Sequence, residues 1–100
     1  MTAKCDVYPN PSGQGYLLDL QSDLLEGIAS HVVAPLVPAS APLRSASRLN
    51  PAFEIESVEH MLVTQSMSAV PSRILEKPVA NLPTRFDEIT HAIDMVFQGL

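Results

Sequence analysis

The sequence predicts a mainly β domain with one α-helix at its C-terminal end. Short runs of alternating apolar and polar residues recur over most of the chain, and clusters of Pro, Gly, Asn and Ser separate them. After Pro83 the apolar spacing changes from two residues to three and four. With 100 residues, 46% of them apolar and 17% charged, the chain fits one domain spanning residues 1–100.

The first alternating run, Ala3 to Tyr8, sets Ala3, Cys5 and Val7 against Lys4, Asp6 and Tyr8, the pattern of a half-buried strand. Pro9, Asn10, Pro11, Ser12, Gly13 and Gly15 are too dense in turn formers for regular structure. A second alternating run from Tyr16 to Gln21 completes a hairpin with a long loop. Ser22 and Asp23 are turn formers, and Gly27 precedes a β-branched third strand at His31, Val32 and Val33. Pro35, Pro38 and Pro42 each lack a ladder donor, which predicts a surface loop over Val37 to Asn50, with Arg44 and Arg48 as its local positive charge. Further strands are predicted at Ala52 to Glu56, where Phe53 and Ile55 share a face, at Glu59 to Met67, and at Val70 to Leu75. Pro71 places the last of these at a sheet edge.

The helix prediction rests on Phe86, Ile89, Ile93, Val96 and Phe97 at three- and four-residue spacing. Thr84 is placed to cap it, with Asp87 three residues on, and Gly99 stands where it should end. Asp87, Glu88, His91 and Asp94 occupy the polar face. The arrangement implied is a mostly antiparallel sheet with one covering helix.

Composition narrows the function. Six Lys and Arg against eleven Asp and Glu give a net charge of −5, which disfavours direct binding to phosphate backbones. Cys5 is the sole cysteine, so no intrachain disulfide forms, in keeping with a cytoplasmic location. The first residues lack the apolar run of a secretory signal. Ile28 to Leu43, interrupted by prolines and His31, is too short and too polar to span a bilayer, so no membrane association is expected.

No residue pattern supplies catalytic machinery. Glu88 and His91 lie three apart on one helix beside Asp87 and Asp94, but a metal site of that type draws ligands from several helices, so a solvated face is the better reading. His31 and His60 sit in separate strands, where a hydrogen-bonded histidine is the ordinary case. Cys5 carries no nucleophile signature, and Ser22 and Asp23 lack the glycines of a nucleophile elbow. Gly13 and Gly15 form G-x-G without a third glycine or a following helix, too little for a phosphate cradle. No catalytic residue, metal or cofactor is therefore expected. The residues Phe97, Gln98, Gly99 and Leu100 place apolar groups where helix ends usually fray. A partner contact and simple packing onto the core both fit that pattern. Leu24 and Leu25 pose the same question, since neighbours on a strand face opposite sides.

The segments Tyr16 to Leu25, Met67 to Pro71 and Ala92 to Leu100 resemble, in order and spacing, those of the CcdB family of plasmid-type toxins, nearly end to end. The resemblance implies an SH3-like, strongly bent antiparallel sheet of the CcdB and MazF kind, assembled as a homodimer. It further implies a noncatalytic toxin that enters the cavity of the DNA gyrase A dimer and traps the cleaved-DNA complex, in service of plasmid maintenance. An antitoxin of the CcdA type would neutralise it through a segment that folds on binding, and would supply the contacts to operator DNA. By position, the gyrase-binding surface falls on Leu24, Leu25, Asp94, Phe97, Gln98, Gly99 and Leu100. Two departures matter: Gln98 stands where the family has Trp, and Asp94 where it favours Asn. The expected activity is weakened gyrase poisoning; the alternative is a nonpoisoning protein that pairs with an antitoxin as a transcriptional co-regulator. A third reading, ribonuclease activity as in MazF-type relatives of the fold, would need acid–base groups that Arg44, Arg48, Arg73, Arg85 and the histidines do not assemble in sequence.

Overall fold

The computed structural model describes residues 5–11, 13, 15–20, 30–39, 49–75, 77–82 and 86–98. Among the described residues, seven strands and one long helix follow each other as β1 (Asp6–Pro9), β2 (Tyr16–Asp19), β3 (Ser30–Pro38), β4 (Ala52–Ile55), β5 (Val58–Leu62), β6 (Ser68–Pro71), β7 (Ala80–Asn81) and α1 (Phe86–Gln98). Single 3-10 turns occupy Thr64–Ser66 and Ser72–Ile74. The strands form one antiparallel sheet in the order β4-β5-β3-β2-β1-β7, with β6 paired to β3 off that path.

The centre of the sheet is β3, and there the predicted loop over Val37 to Asn50 needs correction. The strand runs straight through Pro35 to Pro38. It shares one edge between two partners, β6 along Ser30–Val33 and β5 along Leu36–Pro38. Pro35 falls in the gap between them. Its carbonyl accepts from the Val63 N–H at 2.8 Å, so its nitrogen faces Val63 as well, and the Val63 carbonyl accepts instead from the Ser66 N–H at 3.0 Å, so the missing donor leaves no acceptor there unpaired. By alternation Pro38 turns its nitrogen to the opposite edge, two residues beyond Leu36, the partner of Tyr16 at the start of β2. Residues 40–48 of the predicted loop, with Arg44 and Arg48, lie outside the described residues.

The predicted hairpin is present. β1 pairs with β2 from Val7 opposite Leu18 to Pro9 opposite Tyr16, and the loop closes through the Asn10 N–H to the Gly15 carbonyl at 3.2 Å. Gly15 is required here: its φ is +87°, and a Cβ would stand 2.2 Å from the Leu36 carbonyl oxygen. The first strand, however, begins at Asp6, because Cys5 takes a turn conformation with φ +71°. Nor is it half-buried. Cys5 and Val7 join a large cluster with Leu18, Leu36, Phe53, Leu62 and Ile89, while Tyr8 joins a second with Leu17, Val33 and Leu75 on the other face. Alternation gave the faces correctly, but both are covered.

Phe53 and Ile55 share the buried face of β4, as predicted. β4 turns into β5 through Glu56 and Ser57, both with positive φ, in a two-residue hairpin loop. The predicted strand over Glu59–Met67 breaks after Leu62, because the chain must pass from one half of the β3 edge to the other. The Thr64–Ser66 turn makes that step, fixed by the Thr64 hydroxyl donating to the Leu49 carbonyl at 2.6 Å. Buried Asn50 ties the same corner, its amide donating to the Leu62 carbonyl at 3.0 Å and to Gln65 Oε1 at 2.8 Å. The strand expected at Val70–Leu75 is β6, shifted to Ser68–Pro71, and among the described strands it pairs with β3 alone, the edge placement that Pro71 predicted. β7 was not expected; two residues are too short for a periodic signal. It docks on β1 through the Leu82 N–H to Cys5 carbonyl bond at 2.9 Å and Asn81 to Asp6 Oδ1 at 2.6 Å.

The sheet is strongly bent. Laid flat, β4 and β1 would stand four strand spacings apart, about 19 Å. Instead Phe53 and Ile55 of β4 join the same cluster as Val7 of β1, and Val79, next to β7, lines a groove with Ile55 and Val58. Ile89 of α1, fully buried, packs into that enclosed face, and Ala92 is equally covered. Each core side chain of this size contributes about 1.5–3 kcal/mol by leaving water.

Candidate functional site

α1 forms as predicted, with Asp87 and Glu88 in its first turn, where carboxylates favour the helix dipole. The proposed capping residue Thr84 lies outside the described residues. Ile89 and Ala92 are buried, and Ile93, Met95 and Val96 are half-buried. Phe97 departs from the stripe that predicted the helix: it is 73% exposed. Together with exposed Asp94 and Gln98 it stands at i, i+3 and i+4, one continuous face of the last turns. The structure thus brings together Asp94, Phe97 and Gln98, while Leu24, Leu25, Gly99 and Leu100 lie outside the described residues. Sequence spacing leaves open whether Phe97 packs inward or faces a partner; its exposure shows that it does not pack onto the core.

Glu88 and His91 are both exposed. Among the described residues no three His, Cys, Asp or Glu side chains converge on one point. No described helix is long and apolar enough to cross a membrane. Cys5 is buried in the larger core cluster.

The two strand histidines are buried and held by neighbours. His31 Nδ1 lies 3.3 Å from Asp19 Oδ2, pairing adjacent strands β3 and β2. His60 Nδ1 lies 2.8 Å from the Val58 carbonyl oxygen, and its ring meets that of Tyr16 edge-on at 5.0 Å. The Tyr16 hydroxyl donates to Glu56 Oε1 at 2.6 Å. That bond holds the phenol proton and, with burial and the carboxylate charge, raises the Tyr16 pKa above its ordinary 10.0. Tyr16 and Glu56 are forty residues apart, and no sequence pattern links them.

Two grooves flank this region. One, of about 730 Å³, is lined by Tyr16, Glu56, His60 and Val58 among others. The second, of about 670 Å³, lies among Pro9, Pro11, Ile74, Pro78 and Val79 and carries Arg73 and Lys77. They adjoin at Pro9 and Val79, which line both.

Residues 4–99 match the family model described as CcdB protein, a span that includes the hairpin, the bent sheet and the Asp94–Phe97–Gln98 face. The chain belongs to the CcdB family. Its fold also resembles those of solved toxin structures. An endoribonuclease in complex with its cognate antitoxin, from a Mycobacterial species, aligns with TM-score 0.79 at 14% identity, over 100% of this chain and 97% of that one. The Mycobacterium tuberculosis toxin MazF-mt6 aligns with TM-score 0.74 at 12% identity, over 92% and 95% respectively. The expected CcdB and MazF type of bent sheet with one helix is therefore the fold of this CcdB-family chain.

Proposed function

We propose that this chain is the toxin of a toxin–antitoxin pair, acting without catalysis as a homodimer that binds DNA gyrase A and traps the gyrase–DNA cleavage complex. The observation that carries this reading is the exposed Phe97, flanked by Asp94 and Gln98 at the end of α1 in a CcdB-family chain. A water-exposed phenyl group at the helix end leaves apolar area that a gyrase contact would cover. A twofold dimer would present the face twice to a twofold target. Leu24, Leu25, Gly99 and Leu100 complete the proposed surface through the family resemblance. Gln98 in place of the family's Trp removes a ring able to stack on a guanidinium, and Asp94 adds negative charge, so poisoning is weak or tuned to a gyrase with a different residue opposite Gln98. The fold likeness to a toxin bound to its antitoxin supports an antitoxin partner.

The test is a DNA cleavage assay with purified host gyrase. The intact chain should accumulate cleaved DNA, and removal of residues 98–100 should abolish that effect. Absence of binding to any gyrase A fragment would refute the proposal, as would RNA cleavage that survives the same truncation. Gln98 and Asp94 also favour the second reading, a nonpoisoning co-regulator held by its antitoxin. Undiminished host growth on overexpression of the chain alone would select it.

A further inference from the structure

We infer that the groove lined by Tyr16, Glu56 and His60 is a binding site for an alkylguanidinium cation, carried by a free small molecule or by an arginine side chain. The hydrogen-bonding groups of the groove decide the sign of its ligand. The Val58 carbonyl can only accept, so His60 Nδ1 carries the hydrogen of their 2.8 Å bond, and in the neutral ring Nε2 is an acceptor. His60 is 4% exposed, yet Nε2 has no hydrogen-bond partner among the described residues, and the residue lines the groove. The Tyr16 hydroxyl gives its one hydrogen to Glu56 Oε1. That leaves the phenol lone pairs and Glu56 Oε2 as further acceptors.

These three side chains thus offer acceptors and no spare hydrogen, and Glu56 adds a negative charge. Among the described residues no Lys or Arg lines this groove to neutralise it. Such a site takes a cation rich in N–H donors. A guanidinium suits it better than an ammonium, because it is flat, weakly hydrated and seats against aromatic rings while its donors fan out in one plane. Half-buried Tyr16 supplies the ring. Val58 and Val79, 51% and 43% exposed, stand with Pro38 as apolar wall for a short alkyl stem. A hard divalent cation is a poor match, since it needs several oxygen ligands and the groove offers one carboxylate. The local backbone points the same way. Glu56 and Ser57 both hold positive φ in a two-residue hairpin loop, where Asn-Gly is the favoured pair, so Glu56 keeps its side chain against the preference of its own turn.

The experiment is an NMR titration of the intact chain with butylguanidinium, its neutral isostere butylurea, butyrate, Mg²⁺, and a short capped peptide carrying a single arginine. Butylguanidinium should bind saturably and shift the ring signals of Tyr16 and His60 and the amide of Glu56. Butylurea and butyrate should leave them in place. Affinity should fall about tenfold in Glu56→Gln, which removes the charge, and about threefold in His60→Asn, which keeps a donor for the Val58 carbonyl and removes Nε2. Glu56 is exposed, so its variant should unfold at the wild-type temperature. Tighter binding of the peptide assigns the cation to a protein partner, and tighter binding of butylguanidinium assigns it to a free small molecule; both support the site. No saturation below about 10 mM, a stronger response to butyrate or Mg²⁺, shifts confined to other residues, or unchanged affinity in Glu56→Gln would each overturn the inference.

Discussion

Phe97→Ala separates a partner-binding role from a folding role at one position. Full burial of a phenylalanine stabilises by about 1.5–3 kcal/mol. With 73% of Phe97 exposed, roughly a quarter of that, about 0.4–0.8 kcal/mol, contributes to the folded chain. Alanine returns about 0.5 kcal/mol through helix propensity, so the two nearly cancel and Tm should move by less than about 5 °C. The uncovered part holds about 1–2 kcal/mol per protomer for a partner. Two copies in a dimer give about 2–4 kcal/mol, or roughly 30- to 1,000-fold in affinity. The assay is a titration of a gyrase A fragment into wild type and variant, beside thermal unfolding and sedimentation of each. A variant that binds and inhibits gyrase at wild-type concentrations would refute a partner-binding role for Phe97. So would a Tm drop beyond about 10 °C together with loss of the dimer, since Phe97 would then belong to the contact between protomers.

Four further outcomes follow from the geometry. Gln98→Trp restores the ring typical of the family and should strengthen gyrase binding by up to about a hundredfold, measured by the same titration; no gain would show that the opposing gyrase residue is not a cation. Gly15→Ala combines positive φ with a Cβ placed 2.2 Å from the Leu36 carbonyl oxygen, and should cost about 2–5 kcal/mol in urea unfolding. Asn50→Ala removes the two amide bonds to Leu62 and Gln65 and should lower stability by about 1–2 kcal/mol, seen as a Tm loss of roughly 5–15 °C. Because the folded-state pKa of Tyr16 is raised, the folded chain holds its proton where the unfolded chain loses it. The associated stability is intact below about pH 10 and declines as pH rises through the folded value. Phenolate absorbance should therefore titrate at lower pH in Glu56→Gln, and an unchanged midpoint would refute the assigned bond.

The limits of prediction fall at identifiable residues. The faces of β4 and of the first hairpin were legible, since Phe53, Ile55, Val7 and Tyr8 alternate as their burial does. The stripe of α1 was equally legible, apart from Phe97 at its margin. β3 was misjudged because the rule that excludes proline from central strands concerns the N–H it lacks, and sequence does not say which edge that N–H would face. The shift at Thr64–Ser66 was missed for a related reason: Met61, Val63 and Gln65 keep a strand-like alternation through a stretch that must turn to reach the other half of the β3 edge.

By itself the sequence determined a β domain with one covering helix, the alternating faces of the first hairpin and of β4, most of the α1 stripe, the edge position of Pro71 and the resemblance to CcdB toxins. These are local properties, fixed by the period of side chains along a strand or helix and by residues adjacent in order. The tertiary structure decided the rest: that both faces of β1 are covered, that Phe97 points to water, that Tyr16 meets Glu56 and His60, and that Arg73 and Lys77 share an apolar groove with Pro9 and Val79. Each depends on segments tens of residues apart brought together by the bend of the sheet, and that bend is set by many long-range contacts at once.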